Sequence, residues 1–241
     1  IVGLPERGVR ESRVRVKSAL QAFGFKLPPR QLVLNLAPGD LRKTGAGYDL
    51  AIAVAVQAAC ETVDPTALPD TLLLGELSLS GALRPVRGVL SQLRGARERG
   101  MRRAVVPVAN AAEASLATGI EVYVADSLSE VVRFLNGQHG LPKATARTAV
   151  ESGPTTTDMS DVRGQSGARR ALEIAAAGAH NLLLLGPPGG GKTMLARRLV
   201  TLLPEPTPEE AMEIATVASA AGIYAGATRA AVRRPFRAPH H

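Results

Sequence analysis

Apolar residues at Val9, Val16, Ala19, Leu20 and Phe23, with charges between them, form one stripe of a helix that ends at Gly24. Residues 31–36 read as a short strand stopped by Pro38-Gly39. Residues 49–60 are Ala-rich and apolar nearly all round, which predicts a helix buried inside a domain. Segments 71–79 and 82–86 flank Ser80-Gly81 and predict a tight hairpin. The pattern then alternates: helix over 87–99, strand over 103–106, helix over 109–118, strand over 120–124 and helix over 127–135.

From Asn136 the periodicity stops. Gly137, Gly140, Pro142, Gly153, Pro154 and the run Thr155-Thr156-Thr157 predict an interdomain linker over residues 137–157. Beyond it, Ser166 is placed to cap a helix that runs to about residue 177, with Gly178 as its stop. Residues 181–185 are a continuous apolar run, the signature of a parallel strand buried on both faces. A helix from Lys192 to about Leu203 follows, then Pro204, Pro206 and Pro208, then an Ala-rich helix over 209–221. The whole is an α/β chain of two domains, residues 1–136 and 158–241, joined by the linker.

Composition narrows the class. Apolar residues are 45% of the 241 positions and charged residues 21%, values of a folded chain and not a disordered one. No apolar run reaches the roughly 18 to 20 residues that cross a bilayer. Ile1-Val2-Gly3-Leu4-Pro5 leads at once into charge, unlike a signal peptide. Neither a membrane protein nor a secreted precursor is expected, and the single cysteine, Cys60, suits a reducing, cytoplasmic setting and excludes a cysteine-based zinc site. Twenty-nine Lys and Arg against 21 Asp and Glu give +8, an attraction for polyanions. That charge divides as +6 up to Val150 (19 basic, 13 acidic) and +2 after it (10 basic, 8 acidic). Aromatic residues are only 3%, with no Trp, so bound nucleic acid would be held through its phosphates and not by base stacking.

Gly186-Pro187-Pro188-Gly189-Gly190-Gly191-Lys192-Thr193 fits the G-x-x-x-x-G-K-[ST] phosphate loop in full. Glycines let backbone N–H groups turn inward around a β-phosphate. Lys192 brings a compact positive charge to the β- and γ-phosphates of ATP, and the Thr193 hydroxyl is a ligand for Mg²⁺. The helix beginning here aims its positive end at the same phosphates. A glycine turn ending in Lys-Thr by chance would need neither the apolar run before it nor the helix after it.

The surrounding motifs carry a resemblance. Asp161-Val162-Arg163-Gly164-Gln165, the run from Arg170 to Asn181, the loop with Met194-Leu195-Ala196, and the final Arg234-Pro235-Phe236-Arg237-Ala238-Pro239-His240-His241 resemble the YifB/ComM group of magnesium-chelatase-like AAA+ ATPases. Ile1-Val2-Gly3-Leu4-Pro5 is similar to a segment a little inside that family's N-terminus. The resemblance implies that Val162, Gly164 and Gln165 sit near the adenine, although Gly164-Gln165 alone also fits a plain turn before a helix. It implies a Lon-protease-like, ChlI-type α+β domain over residues 1–136, followed by the first part of a P-loop AAA+ domain with a parallel sheet. Lys43-Thr44-Gly45-Ala46-Gly47-Tyr48-Asp49 and the stretch 83–90 resemble the protease segments that carry a Ser–Lys dyad, but the two positions fall on Gly47 and Leu90. Such a dyad needs a hydroxyl and an amine, so no protease chemistry is expected. Ser78, Ser80 and Ser91 read more simply as turn or surface serines.

Seven arginines between Arg84 and Arg103, opposed only by Glu98, read equally as a phosphate-contacting patch and as a solvated face. Arg229, Arg233, Arg234 and Arg237 form a second cluster that is free of acids along the sequence, and His139 and His180 have no second metal ligand at suitable spacing. The resemblance implies an ATPase working as a homo-hexameric ring on DNA, as a helicase in recombination or natural transformation. A chelatase motor subunit and a non-catalytic nucleotide-binding regulator are the alternatives. An AAA+ site needs an acidic pair after the phosphate loop, yet beyond Thr193 the carboxylates are Glu205, Glu209, Glu210 and Glu213, in a Pro-rich turn and a helix. The 241 residues are therefore expected to be a fragment cut before the hydrolytic acids, able to hold ATP but slow to turn it over.

Overall fold

A computed structural model describes residues 3, 7–29, 31–43, 45–145, 158–224 and 234–238. The chain divides into two compact units, one formed by Ile1–Thr148 with Ala215–Thr228 and the other by Ala149–Ile214 with Arg229–His241.

The first unit is built on alternation. Helices α1 (Arg7–Ala22) and α2 (Asp49–Ala59) are followed by strands β1 (Thr71–Leu73), β2 (Glu76–Leu77) and β3 (Leu83–Arg84), then α3 (Val89–Glu98), β4 (Arg103–Pro107), α4 (Ala111–Ala114), β5 (Glu121–Ala125) and α5 (Leu128–Leu135). Strands β1, β4 and β5 form an all-parallel sheet in that order, with Leu73 opposite Val105 and Val105 opposite Tyr123. Successive side chains leave a strand on opposite faces. Val105, Tyr123 and Ala125 accordingly join α1, α2 and α5 in one core, while Ala104, Val106, Val122 and Val124 join α3 and α4 in the other. A parallel sheet covered by helices on both faces results.

Four expectations are corrected in this unit. Residues 71–79 are not one strand: β1 enters the parallel sheet, and the chain bends at Gly75, which donates to Gly47 O at 3.1 Å and accepts from Leu50 N at 3.0 Å. A Cβ on Gly75 would stand 2.7 Å from Leu83 Cδ2, so a side chain here would push the Leu83 methyl aside. The hairpin therefore shrinks to β2 and β3, with Leu77 opposite Leu83. Residues 31–36 form no strand: Leu34 packs on the core and Val33 is 72% exposed, as in a strand, but only Asn35 makes a bridge. The expected helix over 109–118 is a 3-10 turn, Val108–Asn110, leading into the single turn of α4. At the join of the two, the buried Asn110 side chain clamps Val86, accepting from its N–H at 3.1 Å and donating to its C=O at 2.9 Å. Residues 142–144, within the stretch read as linker, run along β5: Val124 N–H donates to Pro142 O and Ala144 N–H to Val122 O. The rest of that stretch, residues 146–157, lies outside the described residues.

Two polar features organise this unit. Asp49, fully buried at the start of α2, accepts from Arg15 Nε at 2.6 Å, from Arg15 Nη2 at 3.1 Å and from Leu77 N–H at 3.2 Å. Helix α3 begins at Gly88, which has no side chain to cap it. The cap comes from helix α8 (Pro208–Ala221), where the Ser219 hydroxyl accepts from Leu90 N–H at 3.3 Å and its carbonyl accepts from Gly88 N–H at 3.0 Å. Replacing Ser219 by alanine is expected to destabilise this unit by about 1 kcal/mol, as for other lost helix caps; an unchanged urea midpoint would show that the contact is idle.

The second unit is a small helical assembly. It comprises a 3-10 turn at Met159–Asp161, α6 (Ser166–Gly178), α7 (Lys192–Leu199) and the first half of α8. Met159, Val162, Leu172 and Leu195 form its core, with Leu184, Met194, Leu199 and Leu202 packed against them. Thr207 caps α8 by accepting from Glu210 N–H at 3.2 Å, while Glu210 Oε2 accepts from Thr207 N–H at 2.9 Å, a reciprocal capping box. Ser166 is the first residue of α6 and not its cap, a position taken by Gln165 in the left-handed region at φ +52°. The stop is likewise Ala179 at φ +51°, and Gly178 is the last helical residue, with the His180 ring in the space a Cβ there would take. The apolar run 181–185 forms no ladder with any described residue, and Leu183 and Leu185 are 78% and 84% exposed. A strand buried on both faces requires a neighbour on each side, and the described residues of this unit supply none.

Candidate nucleotide site

Residues 186–193 leave the apolar run and end on the first turn of α7. Gly189 (φ +79°) and Gly191 (φ +75°) both take the left-handed conformation that glycine adopts without penalty. Between them, Gly190 N–H donates to Pro187 O at 3.3 Å and closes a tight turn. Gly191 is the N-cap of α7, and no side chain caps the helix. The first N–H groups of α7 and the positive end of its dipole therefore stand at the loop, the arrangement that receives an anion. Lys192 Nζ lies against the loop, donating to Gly186 O at 2.8 Å and Pro187 O at 2.7 Å. Thr193 is exposed one residue further on.

The segment from Asp158 to Gln165 is fastened to this loop's helix. Arg198, on α7, donates through Nε to Asp158 O at 2.9 Å and approaches Asp161 Oδ2 at 3.7 Å. The Val162 side chain is buried beside Leu195, and its carbonyl accepts from Arg169 Nη1 at 3.3 Å. Gly164 (φ +69°) and Gln165 (φ +52°) then turn the chain into α6, and the Gln165 side chain lies against Gly191. The structure thus brings Val162, Gly164 and Gln165 onto the same small body as Gly186, Pro187, Pro188, Gly189, Gly190, Gly191, Lys192 and Thr193. Arg198 escaped the sequence reading: it looks like one more surface arginine until its carbonyl and carboxylate partners are seen.

The other candidate groups have structural partners. Gly47 O accepts from Gly75 N–H, Leu90 is buried, and Lys43 is a buried lysine that donates to the carbonyls of Pro38 and Leu41. Ser78 Oγ is 2.9 Å from Ser80 Oγ and accepts from Ala82 N–H, within the hairpin turn. Of the seven arginines, Arg94 pairs with Glu98 at 3.4 Å, Arg102 lies 3.8 Å from Asp70, and Arg103 bonds Thr71 Oγ1 and Ala67 O. Arg97 donates to Thr118 O and lines a depression of about 460 Å³ with Met101, Arg102, Ile120 and Glu121. Of these partners Asp70 alone is an acid from outside the arginine-rich stretch, and the others are Glu98 and neutral carbonyl or hydroxyl oxygens. In the second cluster, Arg234 is not acid-free in space: it pairs with Glu210 at 2.7 Å and donates to Pro204 O. The Thr207 N–H, and after it the Arg234 guanidinium, hold the Glu210 carboxyl below its ordinary pKa. Arg229, Arg233, His240 and His241 lie outside the described residues.

Comparison with known proteins accords with both halves. Residues 1–110 match the family described as subunit ChlI of Mg-chelatase, and residues 158–241 match magnesium chelatase, subunit ChlI. The chain is 47% identical over its full length to competence protein ComM of Haemophilus influenzae, covering 48% of that protein. It is 46% identical over its full length to the uncharacterized protein YifB of Escherichia coli, covering 47% of it. Lon protease 2 of Bacillus subtilis is 25% identical over 119 residues, 48% of this chain and 21% of that protein. The chain thus spans about half the length of the curated relatives it matches end to end. With a phosphate-loop motif at a helix N-terminus, two family matches on either side of residues 111–157, and similarity to ComM and YifB along the whole of this chain, the chain belongs to the ComM/YifB family of magnesium-chelatase-like AAA+ proteins.

Proposed function

We propose that this chain is the nucleotide-binding part of a ComM-type motor that uses Mg²⁺-ATP to move on DNA as a homo-hexameric ring. The observation that carries the reading is the loop over residues 186–193, whose glycine turns and uncapped helix leave a cradle for phosphate. Lys192 would hold the β- and γ-phosphates, Thr193 would be the protein's ligand to Mg²⁺, and Val162 and Gly164 would flank the base. Bound ATP supplies the phosphoanhydride bond whose cleavage drives the motor. The chain's own contribution is to seat the phosphates against α7 and neutralise their charge.

The N-terminal unit acts as a binding domain without proteolysis, since Gly47 and Leu90 offer neither hydroxyl nor amine. No helix among the described residues is long and apolar enough to cross a membrane, and we place the protein in the cytoplasm. Similarity to a competence protein along the whole chain favours the DNA motor over a porphyrin-linked chelatase.

The test is a titration of the chain with a fluorescent ATP analogue and Mg²⁺, followed by anisotropy of labelled duplex and branched DNA at several salt concentrations. Nucleotide binding is expected, as is a DNA affinity falling with a log–log slope of about −0.9 per phosphate contact. Nucleotide binding with a flat salt response would leave an ATP-binding protein and remove DNA as its partner.

A further inference from the structure

Gln165 stands out on two grounds. It is one of three non-glycine residues with positive φ among the described residues, at +52°, a conformation that side chains with a Cβ rarely adopt and glycine adopts freely. A glycine at 165 would carry the turn into α6 without strain, so the glutamine contributes something the turn does not need. Its side chain shows what that is. A Cβ built on Gly191 would lie 3.2 Å from Gln165 Nε2 and 3.9 Å from Oε1, so the carboxamide stands over the open side of the last glycine of the loop.

The support behind this contact is firm. Gln165 O accepts from Arg169 N–H at 3.0 Å as α6 begins. Val162, three residues earlier, is buried in the cluster that contains Leu195 of α7. Arg198 of the same helix holds Asp158 O. The chain on either side of Gln165 is thereby anchored, and the side chain is aimed at a loop residue whose own φ of +75° sets the start of α7.

We infer that Gln165 serves the phosphate end of the bound nucleotide and not its base: the carboxamide braces the Gly191 turn on which the phosphates are seated. Gln165 is on this view a positioning residue. The inference rests on the nucleotide reading above.

The experiment compares wild-type chain with Gln165→Gly and Gln165→Glu, titrated with fluorescent analogues of ATP, ADP, AMP and GTP, with thermal unfolding alongside. A carboxylate at this place opposes the phosphates, so Gln165→Glu should weaken ATP binding about tenfold, ADP less, and AMP within about twofold. The ATP-to-GTP preference should not change. Gln165→Gly should also weaken ATP more than AMP, with an unfolding midpoint equal to or above that of the wild type, because glycine relieves the backbone. Loss of affinity that is equal for ATP and AMP, or a change confined to the ATP-to-GTP ratio, would place Gln165 at the base and overturn the inference. So would variants that bind all four nucleotides as the wild type does. A wild-type chain that binds no nucleotide would instead overturn the nucleotide reading, and this inference with it.

Discussion

Replacing Lys192 by alanine is expected to weaken Mg²⁺-ATP binding at least tenfold, because a charge-assisted contact of this kind contributes about 1.5 to 3 kcal/mol. The residue begins α7, and its ammonium lies on the carbonyls of Gly186 and Pro187, so it stays with the loop and does not extend into solvent. Removal of the side chain leaves the glycine turns and the helix N-terminus intact. The loss should therefore fall on affinity, with no change in the unfolding transition. A fluorescent-nucleotide titration that returns equal affinities for the two proteins would remove the phosphate loop from the account of this chain.

The largest effect on stability is expected from Arg15→Ala. Asp49 is fully buried, and two of its three hydrogen-bond donors belong to the Arg15 guanidinium. Taking away one partner of a buried pair leaves an uncompensated charge, a loss of about 3 to 5 kcal/mol. Asp49→Asn, which keeps a carbonyl oxygen for Leu77 N–H and removes the buried charge, should cost less. Urea unfolding followed by circular dichroism measures both. Because the chain has two compact units, the loss is expected in the transition of the N-terminal unit, and the second unit should keep its midpoint. An Arg15→Ala protein with an unchanged first transition would mean that Asp49 finds other compensation.

Much of the candidate site can be read along the chain because its motif is local. A phosphate loop is eight consecutive residues whose work is done by backbone N–H groups, glycine dihedrals and one lysine, so its chemistry can be read without knowing what surrounds it. Of the helices that read most clearly, α1, α3 and α5 have an apolar face that repeats within three or four residues, and α2 is apolar nearly all round. What failed was whatever depended on a distant partner. Residues 31–36 and 181–185 have the composition of strands, but a strand exists only where another segment supplies its ladder. Residues 71–79 look like a single strand, but Leu73 takes its ladder partner from β4 and Leu77 from β3.

By itself the sequence determined the order of helices and strands through most of the first unit, the phosphate loop with Lys192 and Thr193, the absence of a serine and a lysine at positions 47 and 90, and the family resemblance. Only the tertiary structure decided which charges remain free, who caps α3 and what Gln165 touches. Arg15 and Asp49 are 34 residues apart, Ser219 and Leu90 are 129 apart, and Arg234 and Glu210 are 24 apart. No periodicity links such positions. Their contacts exist because hydrophobic burial brings the elements together, and a buried polar group must then take its partner from whatever the packing places within hydrogen-bonding distance.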